Sequence, residues 1–172
     1  ILNDFRSNSL YELDGIVVSS NKKRIRYMSG NPDYSFAFKI NKGQKAVVED
    51  VLWNPSKYGT LIPKVQIKPI VIQGDTITYS TGFNAKYILD NDVGPGTEIL
   101  ITKSGDVIPY ILEVTKKTKS KLPKVQYSWT SSGVDIILKN FMKNGEVRQK
   151  RLIHFFKVLD VENINDGTMS KF

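Results

Sequence analysis

The feature that most constrains the fold is a succession of short apolar runs rich in β-branched and aromatic residues, each bounded by Gly, Pro, Asn or Asp. GIVVS, SFAFKI, KAVVEDVLW, PKVQIKPIVI, DTITYST, TEILITK, VIPYILEV and VDIILKN all read as strands. Runs this short and this closely spaced suit a small barrel or a sandwich and leave little room for long helices. The fold class expected is therefore mainly β. Between the runs, Ser29 to Pro32 (SGNP), Val93 to Gly96 (VGPG) and Lys103 to Asp106 (KSGD) are turn chemistry. Lys86 to Asp92 (KYILDND) fits a single helical turn. From Val147 the pattern changes, with Leu152, Phe155, Phe156 and Leu159 at helical spacing, and a helix is expected there. Thr115 to Lys124 (TKKTKSKLPK) is lysine-rich and apolar-poor, and reads as the end of the main barrel followed by a flexible connector.

A chain of 172 residues can bury about 70% of its unfolded surface, so it needs no disulfide or metal to fold. It holds no cysteine and one histidine, which excludes a disulfide framework and a catalytic thiol and argues against structural zinc. No apolar run reaches the ~18 residues of a membrane helix, and no signal-peptide pattern opens the chain, so the sequence reads as soluble. Twenty-five Lys and Arg against seventeen Asp and Glu give a formal charge of +8, which suits a polyanionic partner or simply aids solubility. A first residue of Ile predicts a piece of something longer.

Two of the strands suggest a site. In SFAFKI, alternation sets Phe36, Phe38 and Ile40 on one face and Ala37 and Lys39 on the other. In LDGIVVS, Asp14 sits at the head of the strand and Gly15 lacks the side chain that would fill a space beside Lys39. Strands that bring a carboxylate and an ammonium toward one cleft suit a phosphate, because lysine acts on phosphate oxygens as a point charge. The plainer alternative is a lysine that snorkels from an edge strand, with Asp14 as a turn residue.

These residues and their order resemble the NAD-dependent DNA ligases. Asp14-Gly15 followed by aliphatics, then Phe36-Ala37-Phe38-Lys39, is similar to the last two nucleotidyltransferase motifs of that family, with Pro32 and Tyr34 matching a preceding Pro and Trp. Asn54 to Thr78 resembles the segment with Gly-Arg-Thr-Gly, Thr-Pro-Val-Ala and a Pro-Val strand. Thr81 to Asn84 (TGFN) stands for Thr-Leu-His-Asn, and Gly96 to Pro109 (GTEILITKSGDVIP) resembles the strand before Arg-Ala-Gly-Asp-Val-Ile-Pro. Leu152 to Ile164 resembles the His-Phe opening of a helix-hairpin-helix segment. The departures are specific. Ser19 stands where the family has a second catalytic lysine, Asp33 for an Arg, Lys57 for the Arg of the turn, and Tyr79 and Phe83 for an Arg and a His. Four zinc-binding cysteines are missing, and a metal-free hairpin at YSWTSSGVDIIL would do their job.

The resemblance implies residues 1–42 as the C-terminal end of a nucleotidyltransferase domain and 43–117 as an oligonucleotide-binding (OB) barrel. It implies 118–151 as linker and cysteine-free finger-like region, and 152–172 as the start of the helix-hairpin-helix segment. It further implies NAD as AMP donor, Mg2+ held mostly by phosphates and water rather than by a protein metal site, nicked duplex DNA as partner, and an intracellular location. In such enzymes a lysine attacks the α-phosphorus of NAD, AMP passes to the 5′-phosphate of a nick, and the 3′-hydroxyl displaces it. Lys39 and Asp14 would be catalytic, and with Gly15 would hold the nucleotide. Lys57, Lys64, Lys86 and Lys103, with Lys22 and Lys23, would meet the DNA backbone. The Lys-x-Asp-Gly nucleophile motif is absent; KSGD and KNGE (Lys143 to Glu146) do not match it. The isolated chain is thus expected not to adenylate itself, the rest of the adenylation domain being supplied by the same chain or a second polypeptide. His154, Trp53 and Trp129 read as structural. The alternative is a noncatalytic OB-fold nucleic-acid-binding module derived from a ligase.

Overall fold

A computed structural model describes residues 2–11, 13, 15–23, 25, 29–30, 32–39, 43–72, 74–104 and 108–169. The chain divides into two compact units, residues 1–42 and 43–172.

The first unit holds a helix, α1 (Leu2–Asn8), and two strands, β1 (Gly15–Ser19) and β2 (Ser35–Lys39). The strands pair antiparallel with Gly15 opposite Lys39, Val17 opposite Ala37 and Ser19 opposite Ser35. Opposed residues share a face, so positions 15, 17, 19, 35, 37 and 39 line one side of the ribbon and 16, 18, 36 and 38 the other. Val18, Phe36 and Phe38 are exposed on that second side. A bare two-stranded ribbon is marginal in water.

The second unit is built on five strands, β3 (Gln44–Pro55), β4 (Leu61–Ile72), β5 (Asp75–Thr81), β6 (Glu98–Ser104) and β7 (Ile108–Lys116), with the short helix α2 (Ala85–Asp90) between β5 and β6. They close in the order β3-β4-β5-β7-β6. All neighbours are antiparallel except β5 and β7, whose parallel pairing rests on Thr81 opposite Tyr110. Five strands in this order, with a helix between the third and fourth, make the OB fold. Ala46, Val48, Val51, Val65, Ile67, Ile77, Ile99, Ile101 and Ile111 fill the barrel. Asn84 caps α2 by accepting the Tyr87 amide at 2.8 Å, and α2 inserts Ile88 into the same core.

The segment read from sequence as a flexible connector is tied to the barrel. The Thr118 and Lys121 amides donate to the Asp92 and Val93 carbonyls at 3.1 and 3.0 Å, and the Trp53 indole donates to the Lys121 carbonyl at 3.0 Å. A β-carbon on Gly94 would fall 2.0 Å from the Lys119 carbonyl oxygen, so the chains can meet there only at glycine. Its lysines hid this, because their charge reads as solvated while the segment is held by backbone, by Leu122 and by pairs of Lys117 with Asp92 and Lys121 with Asp50.

Beyond it lies a hairpin of β8 (Tyr127–Trp129) and β9 (Ile136–Leu138), where the metal-free hairpin is expected. Ile136 and Leu138 pack with Leu61 and Ala85 in a second small core, flanked by Trp53, Tyr127 and Phe141. Helix α3 (Gly145–Val158) begins two residues before Val147, because the Asn144 side chain accepts the Val147 amide at 3.0 Å. A last turn, α4 (Asp166–Met169), follows. No helix among the described residues is long and apolar enough to cross a membrane.

Candidate nucleic-acid interface

OB barrels commonly take oligonucleotides on the face of their second and third strands and on the loop between the first two. Here those are β4, β5 and the turn Ser56 to Thr60. The turn is held from within by Ser56 and Thr60, whose backbones bond at 2.7 Å, and by Gly59 at φ +81°. It is braced from outside as well. The Leu138 amide donates to the Gly59 carbonyl at 2.9 Å, Thr60 bridges to Ile137, and Lys150 Nζ donates to the Pro55 carbonyl at 2.7 Å.

On this braced turn, Lys57 Nζ lies 5.0 Å from the centroid of the Tyr58 ring, which is 66% exposed. On the strands, Lys64 stands opposite Thr81, and Gln66 opposite Tyr79. Lys64 Nζ thereby reaches diagonally to 3.9 Å from the centroid of Tyr79, a ring 38% exposed. Among the described residues neither lysine has a carboxylate partner. Other barrel lysines are differently engaged: Lys86 pairs with Asp90 at 3.0 Å, Lys116 with Glu98 at 3.3 Å, Lys117 with Asp92 at 3.5 Å, and Lys121 with Asp50. The Lys121 ammonium, bonded to Asp50, holds that carboxyl below its ordinary value.

Just past Tyr79 the chain turns at Gly82, whose missing β-carbon would fall 2.9 Å from Pro63. Phe83 follows in the left-handed region at φ 60°, its amide donating to Thr81 Oγ1 at 3.2 Å. A bulky residue at positive φ is uncommon and marks strain that the surroundings must enforce. The Phe83 ring is 44% exposed and rests 4.6 Å from that of Tyr87, whose phenol burial pushes above its ordinary value.

Of the residues singled out from sequence, Lys57 and Lys64 thus share one hairpin. Lys86 lies on α2 in its ion pair. Lys103 is elsewhere: it is 8% exposed near the end of β6, with Nζ 2.6 Å from Oδ2 of Asp75, the first residue of β5. Lys22 and Lys23 are exposed between β1 and β2, Gly15 and Lys39 are register partners, and Asp14 lies outside the described residues. Ser19 Oγ is 2.7 Å from Ser35 Oγ on the ribbon face that carries position 39. Tyr58 went unnoticed in the sequence. An aromatic beside a lysine in a glycine-closed turn is the signal that could have found it.

Residues 45–122 match the model of the NAD-dependent DNA ligase OB-fold domain. The chain is 44% identical over 173 residues to the DNA ligase of Acanthamoeba polyphaga mimivirus, covering 99% of this chain and 27% of that protein. The chain belongs to the NAD-dependent DNA ligase family. It is also 35% identical to Putative DNA ligase 205R of Invertebrate iridescent virus 6, over 99% of this chain and 28% of the relative. The DNA ligase of Aquifex aeolicus is 32% identical over 67% of the chain and 17% of its own length. The chain thus spans about a quarter of the viral ligases it matches. The matched OB-fold segment runs to residue 122, past β7, and takes in the backbone anchored at Asp92 and Val93.

Proposed function

We propose that this chain supplies the late nucleotidyltransferase strands and the DNA-clamping barrel of an NAD-dependent ligase that seals nicks in duplex DNA through an AMP intermediate. The observation that carries the reading is the pair Lys57 and Lys64, set on the OB binding face and resting on aromatic rings instead of carboxylates. A cation held that way remains available to phosphate oxygens. With Lys86, and with Lys22 and Lys23 from the first unit, these charges would position the backbone without reading sequence. Lys103, buried in its ion pair with Asp75, is not among these charges.

In residues 1–42, read as the end of the adenylation domain, Lys39 would meet the AMP phosphate and stabilise charge in transfer, with Asp14 as its companion. The Gly15–Lys39 register supports this, since the position across from the lysine carries no side chain. NAD would supply the AMP, and Mg2+ would be held by phosphates and water; among the described residues no group of three His, Cys, Asp or Glu could hold a metal. The remainder of the adenylation domain would bring the nucleophilic lysine and cover the exposed Val18, Phe36 and Phe38. Residues 118–151 would brace the barrel, and 152–172 would begin the helix-hairpin-helix segment.

Nick sealing tests this. The chain joined to or mixed with its complementing adenylation segment is expected to seal a nicked duplex with NAD and Mg2+, Lys39→Ala to abolish sealing, and the 172-residue chain alone to take no label from NAD. A second reading, a noncatalytic DNA-binding module, is favoured by the Ser19–Ser35 hydroxyl pair at the position of a family lysine. It prevails if the complemented protein binds nicked DNA and seals none.

A further inference from the structure

We propose that the two lysine–tyrosine pairs, with Phe83, form a platform that binds unpaired nucleotides, so that the barrel holds a single strand as well as the backbone of a duplex. The inference rests on the reading of this face as a nucleic-acid surface, and adds to it the class of ligand the rings would take. Backbone contact to a duplex needs only cations. It gives no reason for Tyr58 and Tyr79 to stand exposed beside Lys57 and Lys64, or for Phe83 to stand exposed just past the end of β5.

Each pair has the two groups one nucleotide requires. Lys64 lies over the Tyr79 ring at 3.9 Å, and Lys57 near the Tyr58 ring at 5.0 Å. A phosphate drawing the ammonium aside would uncover a ring face on which a base can stack, and the same lysine would hold the phosphate. Base–aromatic stacking beside a basic track is how single strands are bound without sequence preference. The third ring is presented at a conformational cost: Phe83 is kept at φ 60° by the Thr81 hydroxyl and by the close packing of Gly82 on Pro63. Strain of this kind persists where the surroundings enforce it, often at ligand sites. The chain's formal charge of +8 complements a phosphodiester strand.

The test compares, by fluorescence anisotropy with the 172-residue chain, a labelled oligothymidylate of about 12 nucleotides and an abasic phosphodiester strand of the same length. The thymidylate is expected to bind at least about fivefold more tightly, the low end of one stacked base. Tyr79→Ala should remove most of that difference, Tyr79→Phe should keep it, and Tyr79→Trp should add an emission that the thymidylate quenches. Equal binding of the two strands by the unaltered chain overturns the proposal. So does a Tyr79→Ala protein that melts like the original and still prefers thymidylate to the same degree. Nicked duplex is titrated in parallel: if it binds while the strands do not differ, only the stacking platform is lost; if nothing binds, the reading of this face as a nucleic-acid surface falls too.

Discussion

Lys103 Nζ sits 2.6 Å from Asp75 Oδ2, the lysine buried and the carboxylate mostly exposed. The pair joins β6 to the start of β5, two strands that are not hydrogen-bonded neighbours in the barrel. Removing the carboxylate leaves a buried ammonium without that partner, whereas removing the lysine leaves an acid that water can reach. Asp75→Ala should therefore lose about 3 kcal/mol and Lys103→Met clearly less. Urea unfolding followed by tryptophan emission measures both, and equal losses would contradict the asymmetry.

Asp50 accepts from Lys121 and from the Val51 amide, and its folded pKa is depressed by the lysine first. A depressed acid stabilises the fold above its unfolded value, 3.8, and that stability drains away as pH falls through the folded value. Asp50→Asn should cost roughly 0.5 kcal/mol at pH 7, where the partly exposed pair is partly screened, and nothing further in strong acid. Melting temperatures of the two proteins should converge as pH drops below 3.8; a constant gap would rule the ion pair out as the cause.

Gly59 combines φ +81° with a neighbour, Phe141, only 2.6 Å from where a β-carbon would stand. Gly59→Ala strains the backbone and displaces the ring that backs the Lys57 turn. We expect a loss of about 2 kcal/mol or more together with weaker binding to nicked duplex. Phe141→Ala in the same background should relieve part of the stability loss, and a fully additive pair would show that the ring is not what the methyl meets.

Salt titrations separate the lysines. Lys57→Ala and Lys64→Ala should each lower the slope of log affinity against log salt by about 0.9 on duplex DNA. Lys86→Ala should lower it less, because Asp90 already shares its charge at 3.0 Å. An equal drop for all three would mean that the Lys86 pair opens freely on binding.

The strands were legible because Val, Ile and Phe recur at period two between turn residues, whereas the register that pairs Gly15 with Lys39 comes from the fold. Barrel closure was not, since the parallel Thr81–Tyr110 contact joins residues with no local signature. Lys103 read as a DNA-facing charge because its partner lies 28 residues away. The connector misled for a related reason: Gly94, which admits the Lys119 carbonyl, belongs to a turn whose glycine looked sufficient for the turn alone. In the site, Lys57 and Lys64 stood out by charge, while Tyr58, next to Lys57 in the sequence, gave no sign there that its ring stands exposed near the ammonium.

Leu138 and Ile137 of the β8–β9 hairpin brace the Lys57 turn through their backbones, and the Phe141 side chain beyond the hairpin packs against Gly59, in a chain without a thiol. That brace therefore uses neither a metal nor a thiol: chelators and zinc starvation, which dismantle a cysteine-held finger, take nothing from it.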